Sequence, residues 1–322
     1  MEDFIPENRR GALKEKFVER YQLLLGDKYE DFIDSSFRYL RKSIRVNTLK
    51  IAVNEIEKRL AADWHLVPIP WCAEGFWISH KGEKRLDIGN LPEHQLGYIY
   101  VQDASSMIPP VVMFSDRPDC SQMRVLDMCA APGSKTTQIA SYMENKGVLV
   151  ANDSSSQRLK ALGVNVQRMG VHNLIVSLEH GYKIANEFDR ILVDAPCSGT
   201  GTIRKSMKVL QMWSPGLIKK MSREQKRLLS HAASKLAPGG VLVYSTCTLE
   251  PDENEAVVSD ILGKHPELDL VPIELDIVRS DPVLSFEGVD YDPRVSLCLR
   301  ILPQDNDSEG FFVAKFIKRH NI

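Results

Sequence analysis

From Arg124 onward, short apolar runs rich in β-branched residues alternate with stretches of helical period. Arg124-Val-Leu-Asp, Gly147-Val-Leu-Val-Ala-Asn-Asp, Asn173-Leu-Ile-Val-Ser, Phe188-Asp-Arg-Ile-Leu-Val-Asp and Gly240-Val-Leu-Val-Tyr-Ser-Thr read as strands. Helices are predicted from near Ser134, from near Ser156 to Met169, and from about Leu217 to Leu236. Strands and helices in alternation predict a mostly parallel sheet covered on both faces. The last apolar run, Gly310-Phe-Phe-Val-Ala-Lys-Phe-Ile, follows a long acidic segment with no clean crossover helix, which predicts an antiparallel insertion beside the preceding strand. Residues 1 to about 115 lack this rhythm. They open with a predicted helix from Leu13 to Leu25 and contain a Pro- and Trp-rich stretch from Trp64 to Trp77, so a smaller α+β domain is expected over 1–115 and a larger α/β domain over 116–322. No internal repeat or low-complexity segment is visible.

With 322 residues, 43% hydrophobic and 26% charged, the chain has enough apolar surface for a full core. Its amino terminus, Met1-Glu-Asp-Phe-Ile-Pro-Glu, is acidic where a signal peptide is basic, and no apolar run approaches the roughly 18 residues of a membrane helix. A cytosolic location and no membrane partner are expected, as is a monomer. The six cysteines, Cys72, Cys120, Cys129, Cys197, Cys247 and Cys298, include no Cys-x-x-Cys pair, so reduced thiols and no metal are expected.

The net charge of -2 hides a strong segregation. Arg38, Arg41, Lys42, Arg45 and Lys50 lie between Ser35 and Asn54 with no carboxylate among them. From Thr202 to Lys235 there are nine basic residues, Arg204 and Lys205 included, against the single acid Glu224. From Glu250 to Asp292 there are thirteen acids against Lys264 and Arg279. Two basic segments, one directly after a candidate catalytic motif, point to phosphate contact rather than to solvated helix faces alone.

The candidate chemistry sits at predicted strand ends. After the first strand of the larger domain comes Asp127-Met-Cys-Ala-Ala-Pro-Gly-Ser-Lys-Thr136, a small-residue turn that lets a nucleotide-like ligand approach the backbone. It lacks the glycine spacing of a dinucleotide fingerprint or a phosphate-binding loop. The next strand ends in Asp153, where a carboxylate can accept bonds from two ribose hydroxyls or cap the following helix. Later strands end in Asp194-Ala-Pro196-Cys197-Ser-Gly-Thr-Gly201 and Tyr244-Ser-Thr246-Cys247-Thr. In an open parallel sheet ligands bind outside the carboxyl ends of the strands, so both cysteines are expected to face one crevice with the loop after Asp127. Which of the two attacks is not readable from their placement.

These three motifs resemble the signatures of the NOL1/NOP2/Sun family of RNA cytosine-5 methyltransferases. The resemblance extends to Arg45-Val-Asn-Thr-Leu-Lys50, Tyr100-Val-Gln-Asp-Ala-Ser-Ser-Met107 and Gly310-Phe-Phe-Val-Ala-Lys315, and so covers nearly the whole chain. The compact length and the run Val67-Pro-Ile-Pro-Trp71 to Glu74-Gly-Phe76 look most like the archaeal tRNA branch. The resemblance implies a seven-stranded Rossmann-like methyltransferase sheet and S-adenosylmethionine as methyl donor. It also implies Cys247 as nucleophile at carbon-6, Cys197 in product release and Asp194 at the cytosine. Cys129, Ala130, Ala131, Pro132, Gly133, Lys135, Asp153, Arg158 and Asp194 are implied around the cofactor. For Asp194, a strand-end carboxyl that stays protonated and donates to ring nitrogen N3 is expected. RNA, with tRNA first and rRNA second, is the expected partner, held by Arg38, Arg41, Arg45, Arg204 and Lys205. A scaffold that binds RNA without catalysis is the rival outside the enzymes, whereas a DNA methyltransferase would lack the Thr-Cys motif.

Three positions depart from the commoner pattern. Ser134 stands where a Gly is usual, and Ser206-Met207 where many relatives carry Asn-Pro. His180-Gly181 replaces an Asp-Gly whose acid takes the adenine amino group, which leaves His180 as either an adenine contact or an exposed turn residue.

Overall fold

The computed structural model describes residues 13–82 and 87–320, and the acidic amino-terminal heptapeptide lies outside them. Two helices come first, α1 (Glu15–Leu25) and α2 (Tyr29–Ser36). A four-stranded antiparallel sheet follows, made of β1 (Ser43–Val46), β2 (Trp64–Ile69), β3 (Cys72–His80) and β4 (Ile99–Val101) in the order β2-β3-β1-β4. The helices α3 (Val53–Leu60) and α4 (Pro92–Gln95) lie between these strands in sequence. The Pro- and Trp-rich stretch is the β2–β3 hairpin, with a register shift at Pro68/Ile69 where proline cannot serve the ladder.

After α5 (Ile108–Met113), the alternating pattern folds as its period demands. Strand β5 (Arg124–Asp127) leads to α6 (Ser134–Tyr142), β6 (Val148–Asp153) to α7 (Ser156–Met169), and then come β7 (Leu174–Leu178) and β8 (Phe188–Asp194). The short α8 (Lys208–Met212) and the long α9 (Pro215–Lys235) lead to β9 (Leu236–Thr246). Strand β5 pairs in parallel with β6 on one side and β8 on the other, so chain direction switches sides at its carboxyl end. Alternate residues serve opposite faces. Leu126, Ile191, Val193, Leu242 and Tyr244 pack on one core with α9 residues such as Leu228 and Ala232. Val125, Leu192, Val241 and Val243 pack on the other with Ile108, Val112 and Ile139.

The acidic segment is more ordered than its composition suggests. It carries α10 (Glu255–Lys264) and β10 (Leu268–Val271), then the two-residue strands β11 (Ser285–Phe286) and β12 (Val289–Asp290) and, beyond it, β13 (Leu299–Ile301) and α11 (Pro303–Asn306). The absent crossover helix is therefore corrected: Val257, Val258, Ile261 and Leu262 of α10 are buried, and the acids around them mask that stripe in the sequence. The final strand β14 (Phe311–Lys318) inserts antiparallel between β9 and β10, and β13 pairs with it as an eighth strand off the main order β10-β14-β9-β8-β5-β6-β7. The amino-terminal helices do not stand apart: Phe17, Tyr21 and Phe32 pack with Trp213, Ile203 and Leu249, which follow the two cysteine motifs in sequence. Among the described residues no helix is long and apolar enough to cross a membrane.

Candidate active site

The carboxyl ends of β5, β8 and β9 open on one cleft of about 440 Å³, within the range of small-molecule sites. Its walls include Cys129, Ala131, Pro132 and Lys135 from the loop after β5, Asp194 to Cys197 from the end of β8, and Cys247 from the end of β9. The Sγ atoms of Cys197 and Cys247 lie 3.3 Å apart. Hydrogen bonding to Cys247 and then burial push the Cys197 thiol well above its ordinary value. Two thiols this close cannot both carry charge cheaply.

The loop after β5 is shaped by its small residues. Gly133 has φ 108° and caps α6, and a Cβ there would lie 2.8 Å from Leu162 Cδ1. The N–H of Ala130 donates to the Asn152 carbonyl, and that of Ala131 to Asp153 Oδ2. Asp153 is 2% exposed, accepts from Ser155 N at its other oxygen, and is paired with Arg158 at 3.2 Å. It thus braces both the loop and the start of α7. The guanidinium of Arg158 also donates to the Ala131 carbonyl, across the floor of the pocket.

Lys135 is the buried cation of the site. Its Nζ donates to Asp194 Oδ2 at 2.7 Å, while Ser245 Oγ donates to Asp194 Oδ1 at 2.8 Å. Burial alone would lower the lysine's proton affinity, but the facing carboxylate outweighs it and the net shift is upward. Both Asp194 oxygens thus act as acceptors, from Lys135 and from Ser245, rather than as the donor expected. The ammonium of Lys135 is the donor in this corner, and it lies 5.5 Å from the Phe311 ring centroid.

The five basic residues assigned to RNA separate into two groups. Arg38 is exposed, and the guanidinium of Arg41 stacks 4.3 Å above the Trp77 ring with its side chain 40% exposed. Lys205 is exposed and, like Cys247, lines the cleft. Arg45 and Arg204 are different. Arg45 is 1% exposed, donating to Gln102 Oε1 at 2.9 Å, Thr137 Oγ1 at 2.8 Å and the Ser134 carbonyl at 3.3 Å. The Arg204 side chain is 2% exposed and is held by Asp307 and the Tyr39 carbonyl, both at 2.6 Å. Neither reaches phosphate, because a buried guanidinium must spend its donors inside the protein.

His180 is exposed and stacks on Tyr182 with ring centroids 5.3 Å apart, outside the lining of the cleft. Its neighbour Gly181 is required by packing, since a Cβ would lie 2.7 Å from Leu228 Cδ2 and 2.8 Å from Met128 Cγ. Sequence reasoning missed Asp103 and Glu309, which share the cleft wall with Lys205. Both sit inside or beside motifs already singled out, Tyr100 to Met107 and Gly310 to Lys315, and only the convergence of the loops marks them. Among the described residues no cluster of His, Cys, Asp and Glu is arranged to hold a metal ion.

Comparison with known proteins places the chain in one family. The family model of 16S rRNA methyltransferase RsmB/F matches residues 117–317, and that of the N-terminal domain of 16S rRNA methyltransferase RsmF matches 13–104. The chain is 47% identical over 310 residues to a tRNA (cytosine(49)-C(5))-methyltransferase of Pyrococcus abyssi, covering 95% of this chain and 96% of that protein. It is 42% identical over 321 residues to ribosomal RNA small subunit methyltransferase F of Cronobacter sakazakii, of whose length it spans 64% and which covers 97% of this chain. A crystal structure of a methyltransferase homologue from Pyrococcus horikoshii superposes with a TM-score of 0.84 at 34% identity, covering 97% of this chain and 99% of that one. The chain belongs to the NOL1/NOP2/Sun family of S-adenosylmethionine-dependent RNA cytosine-5 methyltransferases, the family to which the RsmB/F model corresponds.

Proposed function

We propose that this protein methylates carbon-5 of cytosine in tRNA through a covalent adduct between Cys247 and carbon-6. The observation that carries the reading is the pair of sulfurs 3.3 Å apart in a cleft shared with the Lys135–Asp194 ion pair. Carbon-5 of cytosine is a poor nucleophile until a thiolate adds at carbon-6 and loads electron density onto it. The Lys135 ammonium, fixed by Asp194, offers a hydrogen-bond donor and positive charge where that density develops on the ring. S-adenosylmethionine supplies the electrophilic methyl group. The residues present fit it: Cys129, Ala130, Ala131, Pro132 and Gly133 form a turn narrow enough for backbone approach, with the acid of Asp153 and the base of Arg158 at one end.

The two sulfurs divide the remaining work. While Cys247 is a free thiol or thiolate, its contact keeps the Cys197 proton in place. Once the Cys247 sulfur is bonded to carbon-6, that opposition is gone; Cys197 gives its proton to solvent and, as a thiolate, takes the carbon-5 proton, while the C–H electron pair forms the carbon-5–carbon-6 double bond and Cys247 leaves as a thiolate. Residues 1–115 serve RNA capture in this account, with Arg38 and Arg41 at the surface, and residues 116–322 catalysis. Carbon-6 is shielded inside a stack, so the target cytosine must be flipped or unpaired.

The tRNA assignment is supported by the Pyrococcus abyssi relative, which matches along nearly its whole length. The rRNA reading is favoured by the description of the family models and by the Cronobacter sakazakii relative. Bisulfite sequencing of host RNA with and without the gene separates them. Loss of 5-methylcytosine at a tRNA position is the expected result, and loss confined to the small-subunit rRNA would transfer the assignment to that substrate.

A further inference from the structure

Three loops meet at Gly201. Its N–H donates to the Cys247 carbonyl at 3.0 Å, and its own carbonyl accepts from Gly310 N at 2.9 Å. A Cβ at Gly201 would lie 2.2 Å from the Gly310 oxygen and 2.8 Å from the Cys247 oxygen, so only glycine permits the knot. Lys205, Cys247 and Glu309 all spring from this braced point within a few residues, and all three line the cleft. Glu309 is 3% exposed, and its buried Oε1 has no hydrogen-bond partner. The Lys205 ammonium stands 3.6 Å from that oxygen, at ion-pair distance. Such an oxygen calls for an explanation, and a cation held loosely in front of it supplies one.

Other polar groups share the cleft with the Cys247 sulfur: the Cys197 thiol is 3.3 Å from it, and Lys135, its ammonium hydrogen-bonded to Asp194, lines the same wall. Asp103 adds a second carboxyl beside Glu309, and burial followed by Asp103 pushes Glu309 up to about 7. Lys135 is thus committed to Asp194, while Lys205 has an anchor that leaves its ammonium at the cleft wall. Arg204, its neighbour in sequence, turns inward to Asp307 instead.

We infer that Lys205 is a thiolate-stabilising residue: anchored by Glu309, its ammonium favours the anionic form of Cys247 that attacks carbon-6, and it does not act as an RNA-phosphate contact. The inference rests on Cys247 as nucleophile, and the alkylation arm of its test needs no RNA. Alkylation of Cys247 by iodoacetamide at pH 7, followed by peptide mass spectrometry, is to be compared among wild type, Lys205→Gln and Lys205→Arg, alongside steady-state methylation. The expected result is an alkylation rate and a kcat each reduced about fivefold in Lys205→Gln, with RNA KM within about twofold, and both largely restored in Lys205→Arg. Unchanged alkylation in Lys205→Gln, with a raised RNA KM and an unaltered kcat, would overturn the inference and return Lys205 to phosphate binding. Failure of the nucleophile reading looks different, since Cys247→Ala would then still methylate RNA whatever the alkylation rates show.

Discussion

Three carboxyl groups around the cleft, Asp127, Glu253 and Glu309, are each pushed up to about 7, and burial is the leading cause in every case. Glu253 shows what such a group does for the site. Its Oε2 accepts from Ser198 N at 3.0 Å and Gln225 Nε2 at 2.8 Å, which fixes the residue after Cys197, while its Oε1 has no partner. The folded protein holds a proton on Glu253 that an unfolded chain, with the ordinary value of 4.5, gives up. Between about pH 4.5 and 7 the folded state therefore binds more protons, and stability falls as pH rises through that window. Glu253 contributes a loss of about 3 kcal/mol across it. Denaturant titrations from pH 5 to 8 are expected to show a shallower fall in Glu253→Gln than in wild type. Equal slopes would mean that Glu253 is ionised in the folded protein throughout.

At the scale of elements, Arg45 ties β1 of the small sheet to the first turn of α6 through Thr137 and the Ser134 carbonyl. Removing it leaves Gln102 Oε1 and Thr137 Oγ1 without this donor in a buried seam, so Arg45→Ala is expected to lose about 3 kcal/mol of stability. Filter binding of the folded variant to RNA should match wild type, and an affinity loss without destabilisation would restore the role first given to Arg45. A cation in a basic run looks the same in sequence whether it points to solvent or inward. That is why Arg45 and Arg204 misled while the strands did not. The strands of the parallel sheet, buried on both faces, carry unbroken apolar runs that leave little choice of element. Helix α10 was missed for the opposite reason, because its buried stripe is only Val257, Val258, Ile261 and Leu262 among acids, one of which, Glu255, is itself buried against Arg300 at 3.0 Å.

Across the whole molecule, the sheet order places β5 between β6 and β8 and so gathers three sequence-distant motifs at one crevice. This much was legible beforehand, since each motif closed a predicted strand. The partnership of Lys135 with Asp194, the loop knot at Gly201 and the Lys205–Glu309 pair were not, because each joins residues at least 46 positions apart and leaves no local signature. What the crevice does rests on the order in which its two sulfurs act, and trapping reads that order directly. Wild type, Cys197→Ala, Cys247→Ala and the double variant would each be incubated with substrate RNA and S-adenosylmethionine, then run on a denaturing gel. A denaturation-resistant protein–RNA band is expected in Cys197→Ala alone, with no band and no methylation in Cys247→Ala. A band in Cys247→Ala that vanishes in the double variant would contradict the account and make Cys197 the nucleophile.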